Sequence, residues 1–279
     1  MKAVIPAAGF GTRFLPIAKA VPKEMLPLGD KPVIHYVVEE AMEAGFDEIL
    51  IILSRGKEAI VNYFRPHPEL EQRLESSGKL EALKTIKDLA SMARFSFVYQ
   101  DHMRGLGDAI RYAESFVGQD AVAVLLGDTV IAGESPLPAL VKAGASAVAI
   151  EPCPPERASK YGIAGGVAAE DGNFQLSHLV EKPSPDAIPQ LLGLDGLALP
   201  PHAFAARYFF SAQIFQHLAK AKPGFGGEIQ LTDAMQQLAA GGTLTGVPLV
   251  GKRLDIGSPD GLIDAAIYLR SVGGRVVAG

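Results

Sequence analysis

Tryptophan is absent and cysteine occurs once, as Cys153, in a chain of 279 residues. A lone cysteine excludes an intrachain disulfide and suits a reducing compartment. Cys153 lies between Pro152 and Pro154 with no partner at metal-ligand spacing, so it reads as inert. Histidine is sparse, and its six copies form no metal-spaced cluster. No apolar run approaches the ~20 residues of a membrane span, and the start, Met1-Lys2 and a short apolar run into Gly9, lacks a signal-like core. Positive charge is also short: 26 Lys and Arg face 31 Asp and Glu, a net charge of −5. Nucleic-acid and membrane-surface binding want a basic field, so neither partner is expected. The expectation is a cytoplasmic protein that holds any anionic ligand by local cations.

What is present is enough apolar material, 48% of residues against 20% charged, for a sizeable core. The first half alternates strands and helices. Strands are expected at residues 3–6, 48–53, 95–100, 121–126 and 146–151, and helices at 32–44, 57–64, 107–116 and 138–143. The charged region 69–92, with Gly78 inside it, reads as two exposed helices. The run 121–126 is almost wholly apolar, as expected at the centre of a parallel sheet. The second half is less regular, with strands at 161–169, 175–182, 206–210 and 244–249 and helices at 211–221, 231–240 and 260–270. Ser211 is the expected N-cap of the first of these. The pattern implies an α/β fold with a Rossmann-like, doubly wound, mixed and mostly parallel sheet and a smaller antiparallel elaboration. No repeat or linker divides the chain, so residues 1–279 read as one domain, with a regular half at about 1–150 and a less regular one at 151–279.

The richest stretch lies between Val4 and Pro32. A short apolar strand runs into Ala7-Ala8-Gly9-Phe10-Gly11-Thr12-Arg13, and ten residues later comes Lys23, in Pro22-Lys23-Glu24-Met25-Leu26-Pro27. Glycines let backbone N–H groups approach anionic oxygens, and two cations offset charge that the loop amides alone would not. That combination suits several adjacent phosphates. A dinucleotide fingerprint would need a third glycine where Phe14 stands, and an acid after the second strand where Ser54-Arg55 stand. A phosphate loop of the Walker kind would close on Gly-Lys-Ser/Thr, whereas this one closes on Gly11-Thr12-Arg13.

Further motifs follow: Gln100 with Gly105-Leu106-Gly107, Leu126-Gly127-Asp128, Lys160-Tyr161-Gly162-Ile163, Val180-Glu181-Lys182-Pro183, Gly226-Gly227-Glu228-Ile229-Gln230-Leu231-Thr232-Asp233, and Asp255-Ile256-Gly257. With the first two, they span nearly the whole chain. Together they resemble the sugar nucleotidylyltransferases, and within them the bacterial UTP–glucose-1-phosphate uridylyltransferases. The resemblance implies a nucleotidyltransferase that joins UTP and glucose 1-phosphate into UDP-glucose and releases pyrophosphate, with Mg²⁺ as cofactor. The implied roles are as follows. Arg13, Lys23 and Lys182 are catalytic. Ala8, Gly9, Gly11, Thr12 and Arg13 hold the triphosphate, while Gln100 and Gly105 read the uracil. Gly162, Glu181 and Lys182 bind the sugar phosphate, and Asp128 and Asp255 bind the metal. A homo-oligomer, tetramer or dimer, is also implied, with about 1–150 as the nucleotide-binding half and 151–279 as the sugar-binding and oligomerisation half.

On a strand, Glu181 and Lys182 would point to opposite faces. Both can meet one ligand only if the strand ends or twists there, and Pro183 supplies an end. Three positions depart from the family pattern: Tyr99 where arginine is common, Asp108 where histidine is usual, and Ala206 where a glycine precedes Arg207-Tyr208. The first two lie beside the base-reading segment. Two alternatives stay open from the residues: a glucose-1-phosphate thymidylyltransferase, and a nonenzymatic sugar-nucleotide sensor.

Overall fold

The computed structural model describes residues 1–184, 187 and 201–273. Its backbone is one nine-stranded sheet with the order β5-β4-β1-β6-β11-β8-β12-β10-β9. The strands are β1 (Lys2–Pro6), β4 (Glu48–Leu53), β5 (Arg94–Tyr99), β6 (Val122–Leu125), β8 (Ser146–Pro152), β9 (Gly162–Ala168), β10 (Phe174–Glu181), β11 (His202–Phe210) and β12 (Thr245–Pro248). Two small ribbons accompany it, β2 (Pro27–Leu28) with β3 (Lys31–Pro32), and β7 (Thr129–Ala132) with β13 (Lys252–Asp255).

From β5 to β6 every pairing is parallel. Parallel strands are covered on both faces, so they read as nearly continuous apolar runs, and alternate residues serve alternate faces. Val4, Leu50, Ile52, Val122 and Val124 pack into one core. Ala3, Ile5, Ile49, Ile51, Leu53, Ala123 and Leu125 pack into the other. The helices Leu106–Arg111, Gln213–Lys220 and Leu231–Ala240 bury residues in the first core, and Val33–Glu43, Glu58–Phe64 and Leu137–Lys142 bury residues in the second.

The sheet changes sense at β11, which lies antiparallel to both β6 and β8. The apolar strand β6 therefore has one parallel and one antiparallel neighbour, where parallel neighbours on both sides were expected. The antiparallel elaboration is continuous with the main sheet. Beyond β8, the strands β12, β10 and β9 follow in turn, and β9 pairs back onto the start of β11 through His202↔Ala164 and Ala203↔Ile163. One strand thus pairs with β6 near its end and with β9 near its start.

A bend makes that double pairing possible. Between Phe204 and Tyr208 the β11–β8 register slips, and Ala206 takes φ +62°. The glycine usual there would adopt this conformation freely; an alanine pays about 1–2 kcal/mol. Arg207, next in sequence, is wholly buried. Its Nη2 donates to Glu40 Oε2 at 2.6 Å and to the Thr129 carbonyl at 2.9 Å, its Nε reaches both Glu40 oxygens at 3.0 Å, and its Nη1 donates to the Ala206 carbonyl at 3.0 Å. Ser135 Oγ donates to Glu40 Oε1 at 2.8 Å. A buried pair satisfied this fully joins the helix Val33–Glu43 to β11 across 167 positions of sequence.

Elsewhere the elements fall close to expectation. The charged region forms two helices, Pro68–Ser76 and Leu80–Ser91, divided at Gly78, whose φ is +68°. The helix expected over 107–116 is two short ones, Leu106–Arg111 and Glu114–Val117. Ser211 does not cap the helix after it; Ala212 holds that position without a side-chain cap, and Ser211 Oγ is buried with no partner among the described residues. Among the described residues no helix is long and apolar enough to cross a membrane.

Two substitutions should move stability in opposite directions. Glu40→Ala leaves Arg207 buried without its counter-charge and should cost about 3–5 kcal/mol. Ala206→Gly relieves the left-handed alanine and should gain up to about 1 kcal/mol. Denaturant midpoints measure both; a neutral Glu40→Ala would contradict the role given to the pair.

Candidate active site

β1 and β6 are parallel neighbours, with Val4 opposite Val124, so the segments leaving them emerge at the same carboxyl end of the sheet. In open α/β sheets that end is where ligands bind. β1 releases the glycine loop and β6 releases Leu126-Gly127-Asp128. No regular helix follows the loop directly. The chain runs through three single 3₁₀ turns, Thr12–Phe14, Ile17–Lys19 and Lys23–Met25, before the helix Val33–Glu43 begins.

The third turn aims two consecutive side chains apart. Lys23 Nζ meets Asp128 Oδ2 at 2.5 Å. Its aliphatic stem lies across the glycine loop, and a Cβ on Gly11 would sit 3.3 Å from Lys23 Cδ. Gly11 also has φ +65°, so both its conformation and its contact favour glycine. Glu24 turns inward, where Lys57 Nζ donates to both its oxygens at 2.8 and 2.9 Å and also to the Ala7 carbonyl at 2.5 Å. Glu24 and Lys57 are almost fully buried. Burial pushes the Glu24 carboxyl up and the Lys57 ammonium down, each opposed by the partner's charge. Lys57 is a site residue that sequence reasoning missed: it stands in a plain helix-start segment, and nothing local marks it.

A cavity of about 420 Å³ opens over this arrangement. Ala8, Gly9, Gly11, Thr12, Lys23, Gln100, Gly105 and Asp128 all line it, so most of the expected nucleotide residues come together. Gly105 has φ +101°, and a Cβ there would fall 2.7 Å from Glu228 Cβ and 2.8 Å from the Ile229 carbonyl. Glycine is required at that position. The loop is locked there by Ile229 N–H to the Arg104 carbonyl at 2.7 Å and Gly107 N–H to the Ile229 carbonyl at 2.9 Å. Thus the Gly-Gly-Glu-Ile motif holds this loop in place, and its Glu228 lines the cavity. Arg13 is exposed on the first 3₁₀ turn and does not line the cavity; its Nη1 lies 3.5 Å from where a Cβ on Gly257 would be.

Asp255 is the last residue of β13 and stands opposite Thr129, the residue after Asp128. Ile256 N–H donates to the Asp128 carbonyl at 3.0 Å. The two aspartates, 127 positions apart in sequence, are thereby brought to one ribbon end. Asp255 accepts from Gly257 N–H at 3.0 Å and from Tyr161 Oη at 3.2 Å. Among the described residues no group of three or more His, Cys, Asp or Glu side chains could hold a metal.

Gly162, Glu181 and Lys182 form a second group. Gly162 is paired with Glu181 in the β9–β10 register, and Thr232 Oγ1 donates to Glu181 Oε2 at 2.6 Å. The strand ends at Glu181 and Lys182 takes φ +46°. That left-handed step turns Lys182 back toward its neighbour, leaving Nζ 3.4 Å from Glu181 Oε1. The two side chains therefore share a side, as one ligand would require. Tyr161 links the groups: its carbonyl accepts from Lys182 N–H at 3.1 Å and its hydroxyl meets Asp255.

The family model described as nucleotidyl transferase matches residues 2–271. The chain is 40% identical over 271 residues to the UTP–glucose-1-phosphate uridylyltransferase of Bacillus subtilis strain 168, covering 95% of this chain and 89% of that protein. It is similar to a UDP-glucose pyrophosphorylase solved with UDP-glucose, at 37% identity and a TM-score of 0.84, covering 97% of this chain and 98% of that one. It is also similar to a UTP-bound enzyme of the same kind from Acinetobacter baumannii, at 34% identity and a TM-score of 0.84, covering 99% and 95%.

Asp128 is held below its ordinary 3.8: burial would raise it, but the Lys23 charge and hydrogen bond outweigh burial. Lys23 is held above its ordinary 10.5: burial would lower it, but Asp128 and Glu24 outweigh that. The stability Lys23 contributes is complete below pH 10.5 and lost as pH rises through its higher folded value. The stability Asp128 contributes is present above pH 3.8 and lost as pH falls through its depressed value. Asp128→Asn removes the largest force opposing the burial of Lys23, so the Lys23 pKa should fall. The pH dependence of amine labelling at Lys23, read by mass spectrometry, checks this; an unchanged titration would contradict it.

Proposed function

The chain belongs to the nucleotidyl transferase family, and we propose that it transfers the uridylyl group of UTP to glucose 1-phosphate, forming UDP-glucose and pyrophosphate. The observation that carries this reading is Lys23, lying across the glycine loop and paired with Asp128 at the carboxyl end of the sheet. A phosphate oxygen of glucose 1-phosphate attacks the α-phosphorus of UTP. The new P–O bond forms as the bond to the β-phosphate oxygen breaks, and pyrophosphate carries the electron pair away. The attacking oxygen is already ionised at neutral pH, so no general base is needed. What the site must supply is positioning and positive charge.

Arg13, Ala8, Gly9, Gly11 and Thr12 hold the triphosphate, and Lys23 offsets charge at the reacting phosphates. Gln100 and Gly105 read the uracil edge. Glu181, oriented by Thr232, accepts from glucose hydroxyls, Gly162 lets the sugar approach, and Lys182 holds the sugar phosphate. Asp128 and Asp255 are the residues that would hold Mg²⁺. A pair of carboxylates fits a hard cation that takes its remaining ligands from phosphates and water. Bound there, the ion would neutralise charge developing on the phosphates. The absence of a third acidic ligand among the described residues suits a site completed by substrate.

The reading includes one domain over 1–279, with the 1–150 half serving the nucleotide and the 151–279 half the sugar and the subunit contacts. Support for it is that β11 pairs with strands of both halves. It also includes a cytoplasmic homo-oligomer, dimer or tetramer. Ile263 and Ile267, one turn apart on the helix Pro259–Ser271, are 56% and 63% exposed and offer an apolar contact. A sensor would have no need of the Lys23–Asp128 pair or of two carboxylates on one ribbon end.

Pyrophosphate release should require UTP, glucose 1-phosphate and Mg²⁺ together and stop with EDTA. Release unaffected by chelation would count against the metal assignment, and a clear preference for dTTP would overturn the uridylyl assignment. Lys23→Ala should lower turnover by about 10²–10³ with folding retained; near-normal turnover would remove Lys23 from the reaction.

A further inference from the structure

Gln100 follows β5 directly and is 3% exposed, yet it lines the cavity. Its Nε2 donates to Asp108 Oδ2 at 2.9 Å and to the Gly105 carbonyl at 3.4 Å. Both partners are acceptors: a backbone carbonyl and a carboxylate. A glutamine amide can sit either way round, and its neighbours decide which. Turned over, Oε1 would face two oxygens with no proton between them. Asp108 is itself 6% exposed, near the start of the helix Leu106–Arg111, and its other oxygen lies 3.9 Å from Arg111 Nη1. The amide nitrogen is thus consumed inside the protein. Oε1 is the atom left over, and no described residue donates to it. The N–H of Gly105, whose carbonyl meets the same amide, has no described acceptor either.

We propose that Asp108 is a positioning residue that fixes the Gln100 amide with its carbonyl toward the base, so that the cavity selects a pyrimidine carrying an N3–H. The inference rests on the nucleotide reading of this cavity. A carbonyl left without a donor and an N–H left without an acceptor, on two residues that line one cavity, make an acceptor–donor pair. It complements an imide edge, where N3–H donates and the adjacent carbonyl accepts, as in uracil and thymine. Cytosine opposes it at both points, with an acceptor at N3 and an amino group beside it. Without Asp108 the amide is free to turn, and its NH₂ could then serve cytosine N3. Discrimination between the two bases therefore depends on a residue that need not touch either.

The test is the affinity of the full-length protein for UTP and for CTP, titrated separately, in the unaltered chain, Asp108→Leu and Asp108→Asn. The unaltered chain should prefer UTP. Asp108→Leu should weaken UTP about tenfold, the worth of one directed hydrogen bond, with CTP held equally or more tightly, so the UTP:CTP ratio falls by at least that factor. Asp108→Asn keeps an acceptor but can also present its own NH₂ to Gln100, so the ratio should fall by a smaller factor, about threefold. A residue that only supports the local fold would weaken both nucleotides alike. An unchanged ratio in both variants, or in Asp108→Asn alone if Asp108→Leu fails to fold, overturns the inference and leaves the proposed reaction standing. An unaltered chain that binds CTP as well as UTP overturns the inference and the uridylyl reading together. The expected ratios with no sugar-phosphate-dependent pyrophosphate release would overturn the proposed reaction alone.

Discussion

The pairing of Lys23 with Asp128 is the contact around which the site is arranged. It joins the segment after β1 to the segment after β6, and it is short because several independent features converge on it. Parallel pairing of β1 with β6 brings both segments to the same end of the sheet. Gly11 leaves room for the Lys23 stem. Behind it, Glu24 and Lys57 form a buried pair that anchors the same 3₁₀ turn, and the second contact of Lys57, to the Ala7 carbonyl, ties that turn to the glycine loop. Burying charge is costly unless each charge is met, and here each cation meets at least one carboxylate. The outcome is an ammonium already placed, within the site proposed for the phosphates, before any ligand arrives.

A second constraint sets the group of Gly162, Glu181 and Lys182. β11 enters the sheet antiparallel, bends at Ala206, and pairs with β6 near one end and β9 near the other. The Arg207–Glu40 pair pins the bend to the first long helix. β9 then carries Gly162 beside Glu181, and the left-handed Lys182 closes that group. Strained positions cost of order 1–3 kcal/mol and persist where the surroundings over-determine them. Ala206 lies beside the buried ion pair and Lys182 just past the end of β10 beside Glu181, so each sits where the chain takes an unusual turn.

Much of this was legible in the sequence because parallel strands buried on both faces announce themselves as apolar runs, as at Ile49–Leu53 and Val122–Leu125. That Gly9, Gly11 and Lys23 would come together was legible because glycine and cation together have few other uses after a strand, whereas Arg13, read with them, stays exposed outside the cavity. The partnership of Asp128 and Asp255 was not readable from spacing; it came from family resemblance, and the ribbon of β7 and β13 now supplies its physical cause. That ribbon was missed because Thr129–Ala132 is short and shows no alternation, being buried in a third core with the C-terminal helix. Lys57 was missed because its importance lies entirely in Glu24 and Ala7, about 33 and 50 positions away. The shared side of Glu181 and Lys182 was posed as a question by strand geometry, and a backbone angle that no residue type dictates answered it.

The central claim is that Lys23 and Asp128 act as one unit. A double-mutant cycle on turnover, comparing Lys23→Ala, Asp128→Ala and the double variant, tests it most directly. If the pair is one device, the double variant should lose far less than the product of the two single losses, because the first substitution already disables it. Losses that multiply would mean the two residues act separately, and the account of the site as built around their contact would be wrong.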